Sequence, residues 1–415
     1  MSTQRISVIG GGLGGVISAL FLSRIRGYNG GPRYKITIHE TRVEILEGAS
    51  IQMARLHMGG EYPLDPETSL NCVTGAFLFS QIVPASAFST IRGIDYIVAK
   101  QNPDAAGLAA TLRKQYKMNT AHYKFLYDRA LNNGHTSIIG PPGQLARSLT
   151  REELTSGFVA GIHTNELGIY SAALNNLLRQ LVKDSPNVQV SCEQQIQTAI
   201  PSGLGFDLLD EKGNCCFADI VVNAGWEGSY QLNRQINKKA IQPNIYLRAL
   251  GVADISECKN ATRPAFALLG KHGGMYSPID ENRALLYVPA KGLSHLGKWQ
   301  SQVNSNERQA DQTIIAEKLY HQLTKLFPHL LPMNITEIII RPTLSFDDKL
   351  IKRRHAHPQI IAPNWYSVTP TKGTFAVWTA INLVGLLHPE ALGKFDLKSN
   401  PVVPKLFHLS PVQFE

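Results

Sequence analysis

An α/β fold resting on a parallel sheet, joined to a second α+β domain, is predicted by three observations. An apolar strand, "RISVI", runs into a glycine cluster and leaves it as an apolar helix, "VISALFLSRI". A second strand, "YKITIHE", follows and ends in Glu40. Further strand-like and helical stretches recur through the 415 residues, a length that suits two or three domain-sized units.

The glycine cluster comes first. Gly10-x-Gly12-x-x-Gly15 sits between strand and helix. The first glycine permits the tight turn. The second removes a side chain where a pyrophosphate would approach the backbone, and the third lets helix and strand pack closely. Leu13, inside the cluster, is a candidate cofactor contact, and the first N–H groups and positive dipole end of the following helix suit a phosphate. The unit therefore reads as a Rossmann-type dinucleotide site. Glu40, with Thr41 beside it, stands where a carboxylate accepts hydrogen bonds from an adenosine ribose. A carboxylate there repels a ribose 2′-phosphate, which disfavours NADP and leaves FAD and NAD.

Bulk properties narrow the class further. The composition is that of an ordinary globular protein, and no run approaches the roughly 18 apolar residues of a membrane span. No secretory signal is expected from the stretch ahead of the first strand. Five cysteines are scattered without metal-ligand spacing, and their odd number argues against a disulfide framework. A reducing, cytoplasmic setting is expected. The adjacent Cys215 and Cys216 fall in a hairpin-like stretch, "LLDEKGNCCFADIVVNAG". The formal net charge of +9 is dispersed, with Lys349, Lys352, Arg353 and Arg354 as the densest run. A solvated basic face, or a site for an anionic substrate or cofactor, is expected rather than nucleic-acid binding. His355 and His357 have no third ligand in view, so no metal is expected.

Three later stretches add a resemblance. "EGASIQMARLHMGGEYPLDP" carries Gly48, Ala49 and Ser50 shortly after the acidic residue, then a His-x-Gly-Gly element. "CFADIVVNAGWEGSYQL" ends an apolar strand in Asn223, Ala224, Gly225 and Trp226, where small residues let the chain come close to a ligand. "ITEIIIRPTLSFDD" and "NWYSVTPTKGTFAVWTAINLVGLL" supply an Arg-Pro element and a strand, turn and apolar helix. Together these resemble the D-amino-acid-oxidase-like superfamily of FAD-dependent oxidoreductases, with elements similar to glycerol-3-phosphate and 2-hydroxy-acid dehydrogenases. Departures lie at Ile51, Gln52, Met53 and Arg55, which replace a small polar run, and at a glycine-poor closing turn.

The resemblance implies FAD as cofactor and a discontinuous Rossmann-type FAD-binding domain from residues 1–80, 145–228 and 345–400. A second α+β substrate domain, on a mixed or antiparallel sheet, would come from 81–144 and 229–344, and 401–415 would form a tail. "NVQVSCEQQIQTAIPSGLGFDLLDEKG" reads as strands of a small sheet inserted in the FAD-binding domain, with Ile196 a cofactor contact. Ala224, Gly225 and Trp226 would near the cofactor. Lys372, Gly373 and Thr374 would face the pyrimidine edge of the flavin, where a cation or helix N-terminus stabilises charge on reduction.

The implied function is oxidation of a small amine, amino acid or 2-hydroxy acid by hydride transfer to flavin N5, with oxygen or a quinone as acceptor. Arg341, ending the strand "EIIIRP", would hold an anionic substrate group, unless a local acid such as Asp347 or Asp348 pairs with it. Arg248 in "NIYLRAL" is a second candidate. His57 is a candidate base, or a histidine bonded within its loop. The alternatives are a flavin monooxygenase, a tRNA-modifying flavoenzyme, or a non-catalytic FAD-binding protein on the same scaffold.

Overall fold

The computed structural model describes residues 3–27, 30–48, 55–132, 134–154, 157–241, 244–257, 265–270, 274–287, 317, 320–321, 333–345, 357–369 and 372–389. Ala49 and Ser50 lie outside these residues, as does the tail 401–415.

Among the described residues the strands are β1 (Gln4–Ile9), β2 (Tyr34–His39), β3 (Phe88–Ala99), β4 (Ala146–Ser148), β5 (Phe158–Ile169) and β6 (Val188–Ser191). They continue as β7 (Ile196–Ser202), β8 (Gly205–Asp210), β9 (Cys215–Ala218), β10 (Ile220–Asn223), β11 (Asn244–Asp254) and β12 (Ala265–Leu269). The last are β13 (Gly274–Pro278), β14 (Arg283–Tyr287), β15 (Asn334–Ser345), β16 (Gln359–Ala362) and β17 (Trp365–Ser367). The helices are α1 (Leu13–Ser23), α2 (Pro66–Ile82), α3 (Ala105–Asn132), α4 (Ser171–Lys183), α5 (Ser229–Ile236) and α6 (Ala376–Leu387).

The first sheet has the order β16-β17-β10-β1-β2-β6. It is parallel from β17 to β6, and β16 adds an antiparallel edge. Parallel strands buried on both faces read as continuous apolar runs, as Ile220–Val222 of β10 do, and β1 is buried from Ile6 to Ile9. Every residue of α1 is buried, because a helix apolar all round must be enclosed. It packs against the equally apolar α6, which also meets α2. Asp65 caps α2 by accepting from Thr68 N–H, with Pro66 at the first helical position. On α4, Leu174, Leu178 and Val182 form the buried stripe that its amphipathic pattern requires.

The second sheet is the mixed one expected, ordered β15-β11-β14-β13-β12-β3-β5-β4, with β12 and β3 the parallel pair. Helix α3 covers one of its faces with Leu108, Ala109 and Leu112. The same helix then sends Tyr123, Leu126 and Ala130 into the core around α1 and α6. It ends just before Gly134, whose φ of 78° suits a glycine after a helix. A third sheet, β7-β8-β9, packs Ile196, Phe206 and Leu208 with Ile9 and Trp365.

Two elements sit elsewhere than the sequence suggests. Residues Val188–Ser191 join the parallel sheet beside β2, whereas the small sheet starts only at Ile196. Strands β4 and β5 fall within the range 145–228 assigned to the FAD-binding domain but pair into the eight-stranded sheet. Strand β5 serves both units: Ala160 and Ile162 pack in the sheet's core, Leu167 and Ile169 in the core around α1. A boundary along the chain cannot express that, because the strand's two ends are buried by different layers. The sequence reading also leaves α2 out, though Asp65-Pro66-Glu67 is a helix-start signal.

Candidate functional site

The parallel strands β1, β2, β10 and β17 end on one side, the edge at which open α/β sheets bind ligands. Gly10 turns there with φ 101°. A Cβ on Gly10 would lie 2.6 Å from the Ala224 carbonyl oxygen, and one on Gly15 would lie 2.0 Å from the Gly10 carbonyl oxygen. Gly12 differs: a Cβ there would meet nothing within 4 Å. It is the N-cap of α1, extended, with no side-chain cap and no acidic residue in the following turn. Leu13 opens the helix, three residues ahead of the stretch read as helical from sequence. The helix end thus keeps backbone N–H groups and a positive dipole for an anion, with space in front of Gly12.

Glu40 is buried and turned back on this turn. Its Oε2 accepts from Gly11 N–H at 2.7 Å, and its Oε1 from Arg42 N–H at 3.0 Å and the Thr41 hydroxyl at 3.1 Å. Ala224 N–H donates to Ile9 O, and Val368 N–H to Asn223 O, which draws the ends of β1, β10 and β17 together. Asn223 is fully buried and donates to Ser229 O and Asn233 Oδ1, while its Oδ1 accepts from Gly225 N–H. Trp226 then takes the left-handed conformation, φ 49°. Ile196 lies in the hydrophobic cluster beside Ile9 and Trp365, so its side chain serves packing.

Lys372, Gly373 and Thr374 form the turn into α6. Among the described residues Thr374 Oγ1 has no hydrogen-bond partner, although Thr374 is buried. The orphaned hydroxyl, the space at Gly12 and the uncapped helix end are what a dinucleotide crossing from Gly12 to the closing turn would use. These residues fit FAD.

The loop from Arg55 to Tyr62 runs along β5 of the eight-stranded sheet, where Arg55 bridges to Gly168. Leu56 N–H donates to Leu167 O and Met58 N–H to Glu166 Oε1, while Asn119 Nδ2 donates to Met58 O. A Cβ on Gly60 would fall 2.3 Å from the Tyr96 ring, so only glycine lets the loop pass. On this loop the structure brings His57 and Lys372 together through a residue the sequence reading left unassigned. Glu61 places Oε1 3.3 Å from His57 Nδ1 and Oε2 3.6 Å from Lys372 Nζ. The ammonium also lies 4.3 Å from the centre of the Tyr62 ring.

Beneath lies a second charged group, also unassigned from sequence. Arg55 is 3% exposed, and its Nη2 donates to Gly93 O at 2.5 Å and Glu166 O at 3.2 Å. Its Nε and Nη1 have no partner among the described residues. Gly93 has φ 84° within an irregular stretch of β3. Glu166 is wholly buried and accepts from Tyr96 Oη at 2.8 Å and Met58 N–H at 2.9 Å through Oε1. Burial pushes its carboxyl up to about 7, against the opposing pull of the Arg55 cation and these donors. Arg55 marked itself in sequence only as a departure from the small polar run. Glu166 stood in an alternating strand with nothing to signal its burial.

Arg248 and Arg341, far apart in sequence, are directly paired across β11 and β15. Their side chains lie outside what the structure describes.

No protein-family model matches the chain, and no curated protein sequence does. Solved structures do. L-proline dehydrogenase from P. horikoshii aligns with TM-score 0.68 at 14% identity, covering 94% of each chain. Glycine oxidase from Geobacillus kaustophilus aligns with TM-score 0.66 at 14% identity, over 95% of this chain and 98% of that one. L-α-glycerophosphate oxidase from Mycoplasma pneumoniae, with FAD bound, gives 0.65 at 13% over 94% and 95%. These are structures of the grouping that the motifs resemble, and at such identities they establish the fold.

Proposed function

We propose that this chain is an FAD-dependent oxidoreductase that oxidises a small amine, amino acid or 2-hydroxy acid. The observation that carries the reading is the cradle at Gly12. There a helix end without a side-chain cap faces open space, beside the turn where Gly10 closes on Ala224. The full-length likeness to amino-acid and glycerophosphate oxidase folds supports it.

Bound FAD supplies the hydride acceptor. The first turn of α1 would hold its pyrophosphate, and Glu40 its ribose. Gly373 and Thr374 N–H groups, with the Lys372 ammonium, would stabilise negative charge at the pyrimidine edge. His57 would take the proton released from the substrate's hydroxyl or amine. Arg248 and Arg341 would bind an anionic substrate group. Oxygen or a quinone would reoxidise the cofactor.

The purified protein is expected to be yellow, and anaerobic addition of amino acids and 2-hydroxy acids in turn should bleach the flavin absorbance with one class. A colourless protein that cannot be reconstituted with FAD refutes the proposal. Among the described residues no helix is long and apolar enough to cross a membrane.

A further inference from the structure

We propose that Glu61 is the positioning residue of this site: one carboxylate holds both the His57 imidazole and the Lys372 ammonium in their working geometry. The inference rests on the reading above for what His57 and Lys372 act upon. It rests on the described side chains alone for what Glu61 does to them.

The argument is geometric first. His57 and Lys372 come from a loop near the start of the chain and the turn into its last described helix. Each meets a different oxygen of Glu61, at 3.3 and 3.6 Å. The backbone of Glu61 has little freedom. Gly60 is pressed under the Tyr96 ring, Tyr62 N–H donates to Gly59 O, and Ser69 Oγ donates to Gly59 O. The carboxylate is therefore delivered by a pinned loop.

The chemistry follows. A carboxylate oxygen 3.3 Å from Nδ1 favours, by charge, the tautomer that carries its proton there, so a proton the ring accepts goes to Nε2. The same carboxylate favours the charged form of each partner. Holding Lys372 on the other oxygen orders a long side chain that would otherwise sample many rotamers. The neighbouring charges bear on the same group. Glu61 opposes ionisation of Tyr96 and Glu166 and favours the Arg55 cation, and the Tyr62 ring faces the Lys372 ammonium.

The test uses the full chain labelled with ¹⁵N-histidine, with H57Q assigning the His57 signals. In wild type the neutral ring should carry its proton on Nδ1. In E61Q the titration midpoint of His57 should move to lower pH and the tautomer bias should be lost, while E61D keeps the wild-type direction. K372M, which removes the competing cation, should move the midpoint to higher pH. With a substrate found by bleaching, E61Q should lose about 10- to 100-fold in kcat with KM within about twofold. An unchanged His57 midpoint and tautomer in both E61Q and K372M overturns the proposal for Glu61, whatever the flavin content. A wild-type protein that never binds FAD refutes the oxidoreductase reading instead, and the histidine titration still decides Glu61.

Discussion

Replacing Glu166 by glutamine tests the buried polar cluster directly. The carboxyl is enclosed and held protonated up to about 7, where its ordinary value is 4.5. Below pH 4.5 the group is protonated in both folded and unfolded chains and contributes nothing to a pH slope. Between 4.5 and 7 the unfolded chain gives up the proton and the folded one keeps it. The folded state then binds more protons, so stability falls as pH rises. Above 7 the loss is complete, at about 3 kcal/mol. Glu166→Gln has no such transition. Its amide group needs a partner where Glu166 Oε2 has none among the described residues, which costs about 1–3 kcal/mol at every pH. Urea unfolding of both proteins at half-unit steps from pH 4.5 to 8 separates the two effects. The variant should gain about 3 kcal/mol relative to wild type across that range. A stability difference that stays constant with pH would refute the placement of Glu166 as a buried, neutral acid.

Four more outcomes are expected. Gly12→Val should leave the unfolding midpoint nearly unchanged, since a Cβ there meets nothing within 4 Å, yet abolish FAD binding; retained flavin absorbance would place the cofactor elsewhere. Gly15→Ala should cost about 1–3 kcal/mol or more by denaturant titration, because its Cβ would sit 2.0 Å from the Gly10 carbonyl oxygen. Arg55→Ala should destabilise by about 1–3 kcal/mol, because Gly93 O and Glu166 O lose their buried donor, and should push Glu166 further up, because Arg55 is the cation that pulls it down; an unchanged Glu166 titration would contradict that pull. Arg341→Gln and Arg248→Gln should each raise KM for the anionic substrate by about tenfold with little change in kcat, read by steady-state kinetics.

Much of the scaffold was legible in the sequence because its requirements are local. A turn at φ 101°, a helix that must approach a strand, and a strand buried on both faces each select residue types at fixed spacing. Hence Gly10, Gly12, Gly15 and Glu40 could be placed before any contact was known. The membership of β5 and β6 was not legible. A short apolar run suits either sheet, and its partner is selected by packing over long sequence distances.

The candidate site divides the same way. The sequence by itself determined the glycine turn, the acid after β2 and the small-residue turns at Ala224 and Gly373, since backbone conformation and close approach depend on the residue in place. Only the tertiary structure decided that Glu61 joins His57 to Lys372, and that Arg55 and Glu166 are buried together. A charged residue reads identically in sequence whether solvated or enclosed. Its chemistry is set by the groups that folding brings within a few ångströms and by the water that folding removes.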